Sequence, residues 1–191
     1  MDKQDRERTS SLLRSGGIVV MPTDTIYGLV GQALKPKTVA RIYKVRHRRP
    51  DKPCIILIGG IEDLKKFGIA VNSSTRKLIN SFWPGKVSIV LPCMSKRFTY
   101  LHRGTETLAF RLPKPLWLRR LLKQTGPLVA PSANLEGKEP ATTVREAQKY
   151  FRNRVDAYVD GGTFAAKPST LIAIQDGVVE ILRQGRVRLR V

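Results

Sequence analysis

Four short stretches gather the residue types that could do chemistry. "PTDTIYG", residues 22–28, sets two hydroxyls (Thr23 and Thr25), a carboxylate (Asp24) and a phenol (Tyr27) straight after an apolar run. "RHRRPDK", 46–52, brings Arg46, Arg48 and Lys52 up to a second apolar run. "TLAFR", 107–111, carries Thr107 and ends a third on Arg111, and "PSAN", 131–134, closes a fourth with Ser132 and Asn134. In open α/β sheets ligands sit in the crevice beyond strand ends, so four strand-end clusters point to one shared pocket. Each cluster also has a plainer reading. Pro, Thr and Asp are ordinary turn formers, "RHRR" could be a solvated basic face or an RNA contact, and "PSAN" could be a helix cap. Gly161-Gly162 reads as a turn. The sequence has no GxxxxGK[ST] loop and no GxGxxG, so the common nucleotide-holding devices are missing.

The elements that must position these clusters alternate in type. Residues 4–15 have helix character and stop at Gly16-Gly17. "IVVM", 18–21, reads as a buried strand, and 37–46 repeats Val39, Ile42 and Tyr43 at helical spacing. "PCIILI", 53–58, is a second buried strand, followed by helical stretches near 61–67 and 73–82. Strands are expected within 83–92, at 107–112 and at 127–131, with a helix opened by Pro115 between the last two. "TVRE", 143–146, is a capping box and starts a helix over 143–152. Asp176-Gly177, between alternating apolar runs, is a hairpin signal. The tail "RVRLRV" alternates charge with apolar residues and is expected as an edge strand. Strands alternating with helices, plus a hairpin, predict one α/β domain with a mixed sheet over 1–191.

Composition narrows the partners. Lys and Arg number 35 against 15 Asp and Glu, a net charge of +20 spread along the chain. Such a surface attracts polyanions: RNA, DNA, nucleotides or phosphates. The apolar fraction of 41% is ordinary for a globular domain, and a domain of about 150 residues already buries roughly 70% of its unfolded surface. The N-terminal stretch is charged and lacks an apolar core, so no signal peptide is expected, nor a membrane span; the expected location is the cytoplasm. Cys54 and Cys93 lie far apart at the ends of apolar runs and are expected as buried, reduced thiols. His47 and His102 are the only histidines, which leaves little for a zinc site or a Ser-His-Asp triad.

From about Arg6 to about Arg186 the chain resembles the YrdC-like proteins, the threonylcarbamoyl-adenylate synthases, in their short form. The resemblance rests on "PTDTIYGL", "WPGKVSIVLP", "TLAFRLP", "APSANLEGKEPATT", "STLI" and the closing "LRQG". It implies a YrdC-like fold: a twisted mixed parallel/antiparallel sheet with flanking helices and a basic concave pocket. It also implies a nucleotidyltransferase. L-threonine, bicarbonate or CO2 and ATP, with Mg2+, give threonylcarbamoyl-AMP and pyrophosphate. Transfer proteins then carry the group to tRNA, and tRNA itself is a candidate partner.

By the same resemblance, Thr25, Arg111, Ser132 and Ser169 bind threonine, with Thr23, Asp24 and Tyr27 shaping that wall. Arg48, Lys52, Thr107, Asn134, Thr142 and Arg183 bind ATP, and Arg46, Arg48, Ser132 and Asn134 form the catalytic group; metal ligands are not identified. Where the family usually has Lys, this chain has Arg46, a planar fork in place of a point charge. A histidine common in relatives has no counterpart, and Leu57 lies near its place. The alternative is a basic RNA-binding module, although aromatics are few, at 7%. A carbamoyl-handling domain of the hydrogenase-maturation kind is a third reading, but the accessory modules that go with it are not in this sequence.

Overall fold

In the computed structural model, which describes residues 3–164, 167–175 and 177–190, nine strands form one sheet and six α-helices flank it. Helix α1 (Lys3–Ser15) leads into a tight pair, β1 (Val19–Pro22) and β2 (Tyr27–Gln32). Then come α2 (Pro36–Arg46), β3 (Ile56–Leu57), a 3-10 segment at Ile61–Phe67, α3 (Ser73–Phe82) and β4 (Val87–Pro92). The short α4 (Thr99–His102), β5 (Thr107–Arg111), α5 (Leu116–Thr125) and β6 (Leu128–Val129) follow. The chain finishes with α6 (Val144–Phe151), β7 (Ala157–Tyr158), β8 (Thr170–Gln175) and β9 (Val178–Arg183).

The strand order is β7-β1-β2-β6-β3-β5-β4-β8-β9. β3 runs parallel to β5, β4 to β8 and β1 to β7, while the other pairs are antiparallel, so the sheet is mixed as expected.

The two faces of the sheet are treated differently, and that difference makes the site. One face is covered along its length. Val39 and Ile42 of α2, Ile79 of α3, Leu101 of α4 and Ala147 and Phe151 of α6 pack there with Ile89, Leu91, Leu108, Phe110, Ile172 and Ile174 of the strands. Phe67, from the 3-10 segment, meets the Phe110 ring edge-on at 5.0 Å. On the other face, α1 and α5 cover only β1, β2, β6 and β3, through Leu13, Leu118, Leu121 and Leu122 against Val19, Met21, Val30, Leu57 and Leu128. Side chains alternate along a strand. With Leu108 and Phe110 facing the core, Thr107, Ala109 and Arg111 therefore face the side that the second helical layer leaves bare.

Several expectations shift in detail. β2 was not anticipated, because Gly28 and Gly31 dilute its strand character. Gly31 is there for a packing reason: a Cβ would lie 2.6 Å from Thr38 Cγ2, so β2 lets α2 approach closely. The apolar run 53–58 pairs only at Ile56–Leu57, β7 lies outside the expected elements, and 61–67 is a 3-10 segment, not an α-helix. Pro115 stands at the N-cap of α5, one place earlier than expected. β8 and β9 form the antiparallel hairpin, with Gly177 at φ +79°; Asp176 lies outside the described residues.

The expected edge strand over 186–191 is corrected: β9 is the edge, and 184–190 carry no strand. That segment folds back. Thr170 Oγ1 donates to the Val187 carbonyl, Arg186 N donates to Pro168 O, and Val187 and Leu189 pack on the core.

Candidate active site

The bare half of the sheet floors a cleft of about 360 Å³, within the usual range for small-ligand sites. Val90, Ala109 and Leu171 form its apolar floor; Thr25, Arg48, Thr107, Arg111, Ser132, Ser169 and Arg183 bring polar groups to its lining. The cleft thus lies over a sheet face as well as at strand ends. The strand-end clusters do converge, but β5 contributes along its whole length.

The β1–β2 loop is closed by its own first threonine. Thr23 Oγ1 donates to Ile26 O at 2.7 Å, and Thr23 N donates to the same carbonyl at 3.0 Å. This turn aims Asp24 beneath Arg111. Arg111 Nε and Nη2 lie 3.1 and 2.9 Å from Asp24 Oδ1, and Nη2 lies 3.3 Å from Thr25 Oγ1. Both side chains are buried. Burial pushes the Arg111 pKa down, and the Asp24 carboxylate pulls it back up. Asp24 takes the Nε–Nη2 side of the guanidinium, which leaves Nη1 with a single long contact, 3.5 Å to Ser88 Oγ. Ser88 in turn shares a 2.8 Å hydrogen bond with Ser169. Arg183 Nη2 donates to Ser169 O at 3.0 Å, and burial, reinforced by Arg111, lowers the Arg183 pKa.

A second cationic group lies at the other wall. α2 ends where His47 adopts a left-handed conformation, φ 51°, which leaves Arg46 inside the last turn and turns Arg48 toward the cleft. Arg46 is 2% exposed. Its Nε donates to Asn134 O at 2.9 Å, and its Nη2 to Asn134 Oδ1 at 3.0 Å and Ser132 Oγ at 3.3 Å. Burial, with Arg48 nearby, lowers its pKa to about 10. The planar fork of this arginine reaches three acceptors of "PSAN" from Nε and Nη2 in one fixed geometry, where a lysine would present a single point charge. Arg48 is held by the Lys52 and Pro53 carbonyls, at 3.1 and 2.8 Å. Glu136 faces all three cations: Lys52 Nζ at 2.9 Å, Arg48 Nη1 at 3.5 Å and Arg46 Nη1 at 3.9 Å.

Other expected site residues stand back from the lining. Asn134 lies behind it: its Nδ2 donates to Leu135 O and Lys138 O, so every polar atom of its amide builds the loop. Lys52 pairs with Glu136 outside the lining. Thr142 bonds Glu146 Oε2 at the start of α6, where Thr143 Oγ1 accepts from Glu146 N. Asp24 supports Arg111 from below. Tyr27 points away, donating to Gly162 O at 2.8 Å and accepting from Gly161 N at 2.8 Å, so it ties down the expected Gly-Gly turn. Leu57 is buried in the second core cluster and does not reach the cleft.

Ser88 and Glu136 were not singled out from the sequence, and Cys54, expected only as a buried thiol, also lines the cleft. Ser88 was findable: in "VSIVLP" it alternates with Ile89 and must face the side opposite the core. Cys54 and Cys93 are both free and buried.

These features define a class: a mixed-sheet α/β protein with a one-sided cleft whose polar lining, rich in arginine and hydroxyl groups, suits a small anionic ligand. The Sua5/YciO/YrdC family profile, described as "Telomere recombination", matches residues 11–185. The chain belongs to that family. It is 33% identical over 186 residues to the threonylcarbamoyl-AMP synthase of Bacillus subtilis, covering 94% of this chain and 53% of the relative. A putative threonylcarbamoyl-AMP synthase of Methanocaldococcus jannaschii is 31% identical over 195 residues, covering 100% of this chain and 92% of the relative. The crystal structure of Pyrococcus abyssi Sua5 complexed with L-threonine superposes with a TM-score of 0.85 at 29% identity, over 97% of this chain and 55% of that one. The chain thus spans about half the length of the Bacillus and Pyrococcus proteins.

Proposed function

We propose that this chain is an L-threonylcarbamoyladenylate synthase, a nucleotidyltransferase that makes threonylcarbamoyl-AMP and pyrophosphate from L-threonine, bicarbonate or CO2, and ATP. The observation that carries the reading is the Arg111 site. A buried guanidinium, fixed by Asp24 and flanked by Thr25, Ser88 and Ser169, faces a cleft whose other wall holds Arg48 and Ser132. That pattern fits an amino acid with a carboxylate and a hydroxyl. Nη1 of the fork donates to the carboxylate end-on. A site that hydrogen-bonds a hydroxyl penalises analogues lacking one. The relatives named as synthases, and the Pyrococcus protein that holds L-threonine, support the same substrate.

In this reading the threonine amine becomes a carbamate, whose oxygen attacks the α-phosphorus of ATP, and pyrophosphate leaves. The chain contributes position and charge in place of a covalent intermediate. Arg111 holds the carboxylate, Arg48 and Arg183 face phosphates, and Arg46 with Asn134 fixes the loop that presents Ser132. Mg2+ would arrive with the ATP phosphates. Asp24, paired with Arg111, is not free to hold it, and among the described residues no group of three or more His, Cys, Asp or Glu clusters for a metal. No protein ligand is therefore assigned to Mg2+.

In this reading the product would pass to tRNA-modifying transfer proteins in the cytoplasm. Among the described residues no helix is long and apolar enough to cross a membrane. The test is pyrophosphate release from purified protein with ATP, Mg2+, bicarbonate and L-threonine, each omitted in turn. Release that needs threonine and bicarbonate together, and fails with serine or valine, supports the synthase. No release, alongside tight and salt-sensitive RNA binding, overturns it in favour of the RNA-binding module.

A further inference from the structure

Glu136 has no role in the reaction proposed above, yet its carboxylate is set among three cations of the nucleotide wall. Its side chain is 22% exposed and its partners approach from three directions: Lys52, Arg48 and Arg46. The contacts are unequal. Lys52 is in hydrogen-bond range, Arg48 is looser, and Arg46 Nη1, fully buried, makes no hydrogen bond at all. A buried guanidinium N–H without an acceptor is costly. Glu136 Oε2 faces that donor across 3.9 Å without satisfying it. The arrangement is a three-cation socket filled by an anion that fits it incompletely.

Glu136 is also built so that its side chain alone can leave. Its backbone N–H donates to Arg46 O at 2.9 Å, and Lys138 N donates to Leu135 O, so the loop is pinned on both sides. Asn134 locks the same loop through Leu135 O and Lys138 O. A rotation about the side-chain bonds carries the carboxylate to solvent without moving the loop. Lys52, its closest partner, is half exposed and can follow. The cationic partners, Lys52 first, hold the Glu136 carboxyl below its ordinary range, so it is charged at neutral pH.

We propose that Glu136 is a resident counter-anion of the Arg46–Arg48–Lys52 socket, displaced by the polyphosphate of the incoming nucleotide and returning to the socket as pyrophosphate leaves. The inference rests on the reading of this wall as the phosphate site. Its consequence is discrimination by charge. A ligand must outcompete a tethered carboxylate at three cations, which a polyphosphate can do and a singly charged anion cannot. The acceptor that Arg46 Nη1 lacks is supplied by a phosphate oxygen. The returning carboxylate shortens the stay of pyrophosphate.

The experiment is calorimetric titration of the full chain with inorganic tripolyphosphate and with pyrophosphate, at fixed ionic strength, in wild type and Glu136→Gln. The amide keeps the shape of the side chain and removes its charge. Removing one competing charge that is partly screened by solvent should tighten tripolyphosphate binding about tenfold. Glu136→Ala serves as the second variant and should tighten binding at least as much. Pyrophosphate should likewise bind more tightly to both variants. Unchanged or weaker binding in both variants overturns the proposal, because Glu136 would then be ordering the cations for the ligand. Failure of wild type and variants alike to bind tripolyphosphate overturns it too. Threonine-dependent pyrophosphate release, measured on the same wild-type preparation, reports separately on the synthase reading.

Discussion

Replacing Asp24 by Asn tests the frame on which the threonine site is argued to stand. Asp24 Oδ1 accepts from two nitrogens of Arg111, at 3.1 and 2.9 Å, and both side chains are buried. The amide oxygen of Asn can still accept, but the charge that offsets the buried guanidinium is gone. Breaking a buried ion pair from one side typically costs about 3–5 kcal/mol, and the retained acceptor puts this case near about 3. For a domain of this size, about 2–4 °C of melting temperature accompanies each kcal/mol, so a loss of roughly 10 °C is expected. Arg111→Met should destabilise for the mirror reason, by leaving the Asp24 carboxylate alone.

The two changes together remove both charges and should be markedly less harmful than the sum of the singles, since an apolar or neutral replacement of a buried pair is often tolerated. Thermal melts of the four proteins measure the coupling directly. In pyrophosphate release, Asp24→Asn should raise the KM for threonine more than it lowers kcat, because the guanidinium loses its orientation. The double variant should be stable and inactive. A melting temperature for Asp24→Asn within about 2 °C of wild type would refute the reasoning, since the pair would then contribute no more than a surface contact.

Two further outcomes follow from the frame around the site. Asp156 binds Ile18 N at 2.7 Å and Arg41 at 2.5 and 2.9 Å, and Arg41 first of all holds its carboxyl below the ordinary 3.8. A depressed folded pKa gives stability that is present above the unfolded value and lost as pH falls through the folded one, so Asp156→Asn should cost about 1 kcal/mol at neutral pH and flatten the acid limb of a stability-against-pH curve below about pH 4. Tyr27→Phe removes the hydroxyl that joins Gly161 N and Gly162 O; urea melts should show a loss of about 1–2 kcal/mol, with the KM for threonine little changed because Tyr27 points away from the cleft.

The sequence was most legible where a periodic or capping signal stood alone. Helices α1, α2, α3, α5 and α6 lie within about two residues of expectation, and Thr143 caps α6 as the "TVRE" pattern indicates. β2 was hidden because the two glycines that let α2 and the PTDT turn approach also erase its strand signature. The tail misled because alternation alone cannot tell a strand from a segment folded back over the sheet, as Val187 and Leu189 show. At the site, motif order marked Thr25, Arg48, Arg111, Ser132 and Ser169, all of which line the cleft. It could not reveal that Asn134 turns inward to build a loop, or that Glu136 sits among three cations. Those depend on contacts between segments 84 or more positions apart in the chain, such as Lys52 with Glu136 and Arg46 with Asn134, which no local pattern encodes.

The half-covered sheet gives β5 a strict parity. Odd positions, Thr107, Ala109 and Arg111, face the cleft, and even ones, Leu108 and Phe110, face the core. Recognition and folding are therefore written in two interleaved alphabets along five residues. Substitutions at odd positions can retune what the cleft accepts while the aromatic contacts of Phe110 stay intact. A single inserted or deleted residue would exchange the alphabets, driving Arg111 into the core and Phe110 into the cleft. Selection on substrate preference in this strand can proceed by replacement and almost never by a change of length.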